Sequence, residues 1–346
     1  MKIISKYLKL LPVFLLVFGL TACSDDDDNT VPTTTTVVDV AVENGFNALA
    51  AALTSANLVT TLQGTGPFTV FAPTDQAFQD LLDSNPVWND LGDIDSDLLS
   101  TVLLNHVIIG TEVPSSAITE AGIYANVGAT GPNDNNLSIY ARLNGTTVEI
   151  NGGDGTTAAP RNGADVTTAN VEADNGIIHA INKVLLPPTI ADMAVANPAL
   201  ETLVAALAFA DTGSPTVPWI ATVSNADAGP FTVFAPLNDA FTGPEGVLAE
   251  LDLTGFGEGT GELNAATTDA VLTFHVVNGS NVQSTGLGAL NGVIPTIGGN
   301  LDLNGTTITD ANDRDSEILA SLGLVDIQTA NGVVHVIDKV ILTPPQ

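Results

Sequence analysis

The chain holds a single cysteine in 346 residues. Cys23 has no partner for an intramolecular disulfide, so any core must stand without covalent staples. Basic residues are almost as scarce, with eight Lys and Arg against 39 Asp and Glu and a formal charge of −31. Three of the eight, Lys2, Lys6 and Lys9, sit in a segment with the character of a removable signal; without them five remain and the charge becomes −34. A surface of that sign repels phosphate backbones and anionic headgroups, which argues against any nucleic-acid partner. Enzyme signatures are missing too: there is no Gly-x-Ser-x-Gly elbow, His-Glu-x-x-His helix or Gly-Lys-Ser/Thr phosphate loop. Carboxylates are so abundant that pairs of them say nothing about glycosidase chemistry. The sequence makes no case for an enzyme or a cofactor.

Apolar residues make up 45% of the chain and charged residues only 14%, a composition that folds. Its organising stretch is Gly66-Pro67-Phe68-Thr69-Val70-Phe71-Ala72-Pro73, which returns at residues 229–236. Asn175-Gly176-Ile177-Ile178-His179 recurs as Asn331-Gly332-Val333-Val334-His335, and between them Asn105-His106 is matched by Phe274-His275. Three landmarks in one order, twice, predict two copies of one domain, residues 37–187 and 188–346, each large enough for one core. The offset between copies is 163 residues at the first landmark, 169 at the middle His and 156 at the last. The second copy has therefore gained six residues before its middle His and lost 13 after it, changes expected in loops. Pro187-Pro188 leads straight into the second copy, so the angle between domains is expected to be restricted.

Residues 1–22 read as a signal peptide, a basic start followed by an apolar run too short to span a bilayer. The run ends Leu20-Thr21-Ala22-Cys23, which resembles the lipobox of bacterial lipoproteins and implies diacylglycerol on Cys23; the plain alternative is a free cysteine at an ordinary cleavage site. Ser24-Asp25-Asp26-Asp27-Asp28 resembles a surface-export signal of some Gram-negative lipoproteins, or is simply a solvated acidic leader. Residues 23–36 form an acidic and Thr-rich tether. The expected location is an outer membrane, lipid-anchored and facing the cell surface.

Within the first copy, Phe46, Leu49, Ala50, Leu53, Leu58 and Leu62 predict two short amphipathic helices. A strand at Phe68 to Phe71 is stopped by Pro73, and Thr74 or Asp75 caps the next helix. Asp93, Asp95 and Asp97 lack the Gly and Glu of a calcium loop, so they are expected to precede and cap a helix over residues 98–106. Asn144-Gly145 predicts a hairpin, and residues 176–186 a final strand with Ile177, His179 and Ile181 on one face.

These landmarks resemble the fasciclin (FAS1) domain, and the resemblance covers residues 37–345. Residues 68–78 are similar to the family's first box and residues 331–340 to its second. The resemblance implies an α+β fold, a wedge of two β-sheets with a helical layer in each of two tandem domains. It also implies a secreted or membrane-anchored adhesion module that binds surface proteins, matrix or polysaccharide. The alternative is an envelope subunit that binds polysaccharide or a small molecule. The family's middle Tyr-His is here Asn105-His106 and Phe274-His275. An Asp-Ile pair implicated in adhesion in animal members is matched by Asp326-Ile327, whereas the first copy has Asn170-Val171.

All four histidines, His106, His179, His275 and His335, fall in the repeated motifs. Two per domain are too few ligands for zinc, and the favoured reading is structural, each hydrogen-bonded to backbone. No metal is expected. The acidic segment Asp310, Asn312, Asp313, Asp315 and Glu317 reads as a solvated loop or helix start before it reads as a weak calcium site. Trp88 and Trp219 are either sugar platforms or apolar anchors.

Overall fold

Why the first copy begins with a helix is a question of capping. Val37-Val38-Asp39-Val40 is rich in β-branched residues, which favour strands. Thr36 overrides that preference: its side chain accepts from Asp39 N while Asp39 Oδ2 accepts from Thr36 N at 2.9 Å, a capping box that starts α1, Val37–Glu43. Thr189 and Asp192 repeat the box at the head of the second copy. The computed structural model describes residues 34–153 and 162–344; the signal segment, Cys23 and all but the end of the tether lie outside them.

The first copy continues through α2 (Asn47–Ser55), α3 (Val59–Leu62), β1 (Phe68–Pro73), α4 (Asp75–Asp83), α5 (Ser96–Leu104) and β2 (Val107–Ile109). It closes with β3 (Ile123–Thr130), β4 (Asn136–Asn144), β5 (Thr147–Ile150), β6 (Ala164–Ala173) and β7 (Gly176–Ile181). The second runs α6 (Ile190–Ala196), α7 (Glu201–Ala210), α8 (Trp219–Val223), β8 (Phe231–Pro236), α9 (Asn238–Thr242), α10 (Val247–Glu250), α11 (Ala265–Thr273) and β9 (Val276–Asn278). Short strands β10 (Val293–Pro295), β11 (Asn300–Asn304), β12 (Thr307–Thr309) and β13 (Asp315–Glu317) lead to β14 (Ile327–Thr329) and β15 (Gly332–Ile337).

Thr74 caps α4, and Asp95 caps α5 by accepting from Asp97 N and Leu98 N. Asp75 reaches across to accept from Ala48 N in the first turn of α2, at 2.8 Å; Asn238 does the same for Thr202 N. The last strand of the first copy stops at Ile181, short of the expected 186, where Asn182 turns the chain toward the second copy.

The repeated boxes lie side by side. β1 pairs with β7 in parallel, Phe68 opposite Gly176, and with β2 antiparallel; β8 pairs with β15 and β9 in the same way, Phe231 opposite Gly332. Both faces of these strands are covered, which is why the boxes read as almost continuous apolar runs. Phe68, Val70 and Ala72 pack toward the helices, while Phe71 and Ile181 face the second sheet layer. Phe231, Val233 and Ala235 part from Phe234 and Ile337 in the same alternation. β6 breaks register twice and joins β7 to β5, giving a continuous strand order β2-β1-β7-β6-β5-β4-β3. The second copy instead has two four-stranded sheets, β14-β15-β8-β9 and β10-β11-β12-β13. Both are α+β, with sheets and a helical layer.

The domains share a buried seam. Tyr140, on β4 of the first, is 1% exposed and belongs to the core of the second beside Ile190, Met193 and Ile327. Tyr124 packs against it with ring centroids 4.8 Å apart and ring planes inclined by 42°, and Asn197 Nδ2 donates to the Tyr124 hydroxyl. Gln328 N donates to Ser138 Oγ at 3.0 Å, and Asn281 Nδ2 to Pro132 O at 3.3 Å. At Gly131 a Cβ would lie 2.7 Å from Leu137 Cδ2 and 2.8 Å from Thr329 O of the other domain, so this approach of the two backbones needs a residue with no side chain.

Candidate functional site

The chemistry-bearing residues of each copy converge on two small networks. In the first, His106 Nδ1 lies 2.7 Å from Val102 O, and its Nε2 accepts from Leu185 N at 2.8 Å. Since a main-chain N–H can only donate, Nε2 carries no proton and the neutral Nδ1–H tautomer is fixed. His275 repeats this with Val271 O and Ile341 N. Burial pushes both imidazoles down to about 4. Each pins the chain leaving its last strand to the end of a helix. Asn105 donates to Leu185 O and Leu186 O, and Phe274 packs in the core.

The other network has the opposite tautomer. His179 Nε2 lies 2.9 Å from Val113 O, and its Nδ1 accepts from Asn170 N; His335 bonds Val282 O and accepts from Asp326 N. Burial lowers both pKa values. The rings stack on Phe71 and Phe234 at 5.6 and 5.7 Å. Thr69 completes the set: its hydroxyl donates to Thr111 O and accepts from Val113 N, as Thr232 does with Ser280 O and Val282 N. The four histidines thus form two equivalent pairs with main-chain partners in each copy.

Asn170 and Asp326 occupy one position. Both have left-handed backbone, φ 59° and 55°, and both tie a serine of the preceding loop. Ser115 N donates to Asn170 Oδ1 while Asn170 Nδ2 donates to Ser115 Oγ; Ser284 N and Oγ donate to the two oxygens of Asp326. The Asp326 side chain is 31% exposed, whereas Ile327 is 1% exposed and belongs to the core.

Sequence reasoning singled out the repeated Asn-Gly without giving the asparagine a task. Asn175 Oδ1 accepts from Val37 N and its Nδ2 donates to Leu62 O and Gly64 O; Asn331 serves Ile190 N, Val223 O and Asn225 O. One amide in each copy ties the first helix and the loop before the central strand. Its exact recurrence was the available signal.

Other candidates dissolve into packing. Trp219 is 1% exposed, its indole N–H donating to Asp269 Oδ1 at 2.7 Å, so it offers no platform to a sugar. Trp88 packs half-buried against the first core. Asp310 accepts from Asn312 N, Arg314 N and Leu342 N, and Glu317 from the hydroxyls of Thr306 and Thr307, so these carboxylates face donors. Among the described residues no three His, Cys, Asp or Glu side chains group as metal ligands. A cleft of about 380 Å³ in the second domain is lined by Phe241, Leu251, Phe256, Leu263 and Leu342, with Thr268 and Asn312 among its polar groups.

The fasciclin domain family model matches residues 44–187 and 200–344. Protein sll1483 of Synechocystis sp. is 36% identical over 153 residues, 44% of this chain and 73% of its own length. The cell surface glycolipoprotein MPT83 of Mycobacterium tuberculosis is 32% identical over 163 residues, 43% of this chain and 60% of that protein. A solved FAS1 domain pair from the insect cell adhesion molecule Fasciclin I aligns over 88% of this chain and 95% of its own, at 17% identity and a TM-score of 0.42.

Proposed function

The chain belongs to the fasciclin domain family, and on that premise we propose that it is an outer-membrane lipoprotein, displayed on the cell surface through lipid on Cys23, whose paired domains act as one adhesion unit toward surface proteins, matrix or polysaccharide. The observation that carries this reading is the seam. Two domains whose cores share Tyr140 present their loops in a fixed relation, as an adhesive module needs for both to engage together. The histidines support a binding role over a catalytic one, since their ring nitrogens are taken up by main-chain groups. The lipobox-like Leu20-Thr21-Ala22-Cys23 supports the anchor.

Protease shaving of intact cells, read with an antibody to the second domain, tests the location. Loss of signal supports display; protection until the outer membrane is opened defeats it. Cys23→Ala is expected to release the protein from membranes, and undiminished retention removes the lipid from the reading.

A role for Asp326 in recognition can be separated from folding, because Asn170 already performs the same loop contact in the first copy. Asp326→Asn is expected to change stability by less than about 1 kcal/mol while weakening adhesion. Cell aggregation unchanged by this variant would eliminate Asp326 as a contact.

The second reading, a small-molecule-binding envelope subunit, is favoured by the apolar cleft beside Phe241 and Phe256. Its test is the shaving result: periplasmic domains would put it first.

A further inference from the structure

One domain of this chain already docks on the other, and the accepting face is made by Gln328 on β14 and Asn281 in the loop after β9. The same face exists on the first domain. Strand register fixes the equivalence: Ile327, Gln328 and Thr329 pair with Val334, Val333 and Gly332 as Val171, Glu172 and Ala173 pair with Ile178, Ile177 and Gly176. Thr232 holds Val282 as Thr69 holds Val113, so Asn281 answers to Glu112. On the second domain the face is covered, with Gln328 1% and Asn281 7% exposed. On the first, Glu112 and Glu172 are exposed and Val171 is half-buried.

The second domain has lost the means to cover such a face in another copy. Its strands β10 and β11 have three and five residues where β3 and β4 have eight and nine. The shared Leu-Asn-Gly turn, with Asn144 opposite Thr147 and Asn304 opposite Thr307, sets Gly298 and Asn300 where the docking hairpin carries Ser138 and Tyr140. The hairpin that could dock, on the first domain, is already engaged within its own chain.

The chemistry of the two faces differs in one respect. Asn281 and Gln328 are amides, hydrogen-bonded to each other, and Asn281 donates to the neighbour's Pro132 O. Glu112 and Glu172 accept only, and they repel the acidic surface of a second copy; charge on an open edge is a common means of preventing self-pairing. The edge itself remains a template, since register sets the Glu172 N–H where the Gln328 N–H donates across the seam. We propose that this face of the first domain, Glu172 with Val171 and Glu112, is a docking site for an extended segment of a partner protein carrying Lys or Arg. The segment would lie along the strand edge by main-chain hydrogen bonds, with its cations over the two carboxylates. This deepens the adhesion reading and rests on it, naming one contact face and the charge of what it takes.

The probe is a ten-residue peptide of alternating Lys and Thr, titrated into the unlipidated Cys23→Ala chain and followed by calorimetry. Replacing Glu112→Gln and Glu172→Gln together is expected to weaken binding by about tenfold, the scale of two partly screened ion pairs. Glu201→Gln with Asp227→Asn, both exposed and on the second domain, removes the same charge and is expected to leave affinity within about twofold. Equal weakening by both pairs would overturn the proposal, because the peptide would then be reading overall charge. A parent chain that sediments as a dimer, and returns to a monomer when Glu112 and Glu172 are both replaced by Gln, would overturn it too, because the occupant would be a second copy. Peptide binding untouched by the Glu112/Glu172 pair in a protein that shaving finds outside the cell would sink this face alone. Periplasmic domains would sink adhesion while leaving the peptide result standing.

Discussion

A buried histidine that must accept a main-chain hydrogen bond is a constraint on pH as well as on geometry. His106 and His275 receive Leu185 N and Ile341 N on Nε2, and burial holds both near 4 in the folded chain. In the unfolded chain a histidine titrates near 6.5. The folded pKa is the lower one, so the unfolded state binds more protons between these values; the stabilisation is whole above 6.5 and is lost as pH falls toward 4. At pH 5 the loss is on the order of 2 kcal/mol per histidine. The sign separates this from the global charge, because partial neutralisation of a chain at −31 relieves self-repulsion on acidification. Urea midpoints are therefore expected to fall between pH 7.5 and 5. In a His106→Gln, His275→Gln chain, less stable at pH 7.5, that fall should shrink. The same change of midpoint with pH in the parent and in the His106→Gln, His275→Gln chain would refute the assignment.

At the scale of elements, much was legible because the boxes are strands covered on both faces and repeated. Strands were readable at Phe68 to Phe71 and over residues 176–186, the second longer than the Gly176–Ile181 observed, and the α+β class follows from helices before them and a hairpin at Asn144-Gly145. The pairing of the boxes was not legible, since residues 68 and 176 are joined through a parallel register that local pattern does not encode. Nor was the task of Asn175 and Asn331, each of which joins three main-chain groups from two distant segments. The candidate adhesion pair was legible by position only. What separates Asp326 from Ile327 is burial, and burial there depends on the other domain. The asparagines carry a direct test. Asn331→Ala leaves Ile190 N, Val223 O and Asn225 O without their partner, and a cost of about 3 kcal/mol is expected from buried groups left unmet. Denaturant unfolding with the Asn331→Ala chain within about 0.5 kcal/mol of the parent would show that the amide is dispensable.

The whole molecule is more than two copies in series, because the seam borrows a side chain from one core to fill the other. Tyr140 belongs by sequence to β4 of the first domain and by packing to the core around Ile190, Met193 and Ile327. Truncating a buried aromatic costs roughly 3–5 kcal/mol, and here the cavity would open in the domain that does not carry the residue. Cooperativity between domains depends on that shared burial together with Ser138, Gln328 and the close approach at Gly131. A single calorimetric transition is expected for the parent chain, since neither domain can unfold without exposing part of the other's interior. Tyr140→Ala should split it, with the transition assigned to the second domain moving to lower temperature, and Gly131→Ala should act in the same direction by forcing the backbones apart. Two separate transitions already present in the parent would mean that the seam transmits no stability. The fixed presentation on which the adhesion reading relies would then have to come from the short Pro187-Pro188 connection alone.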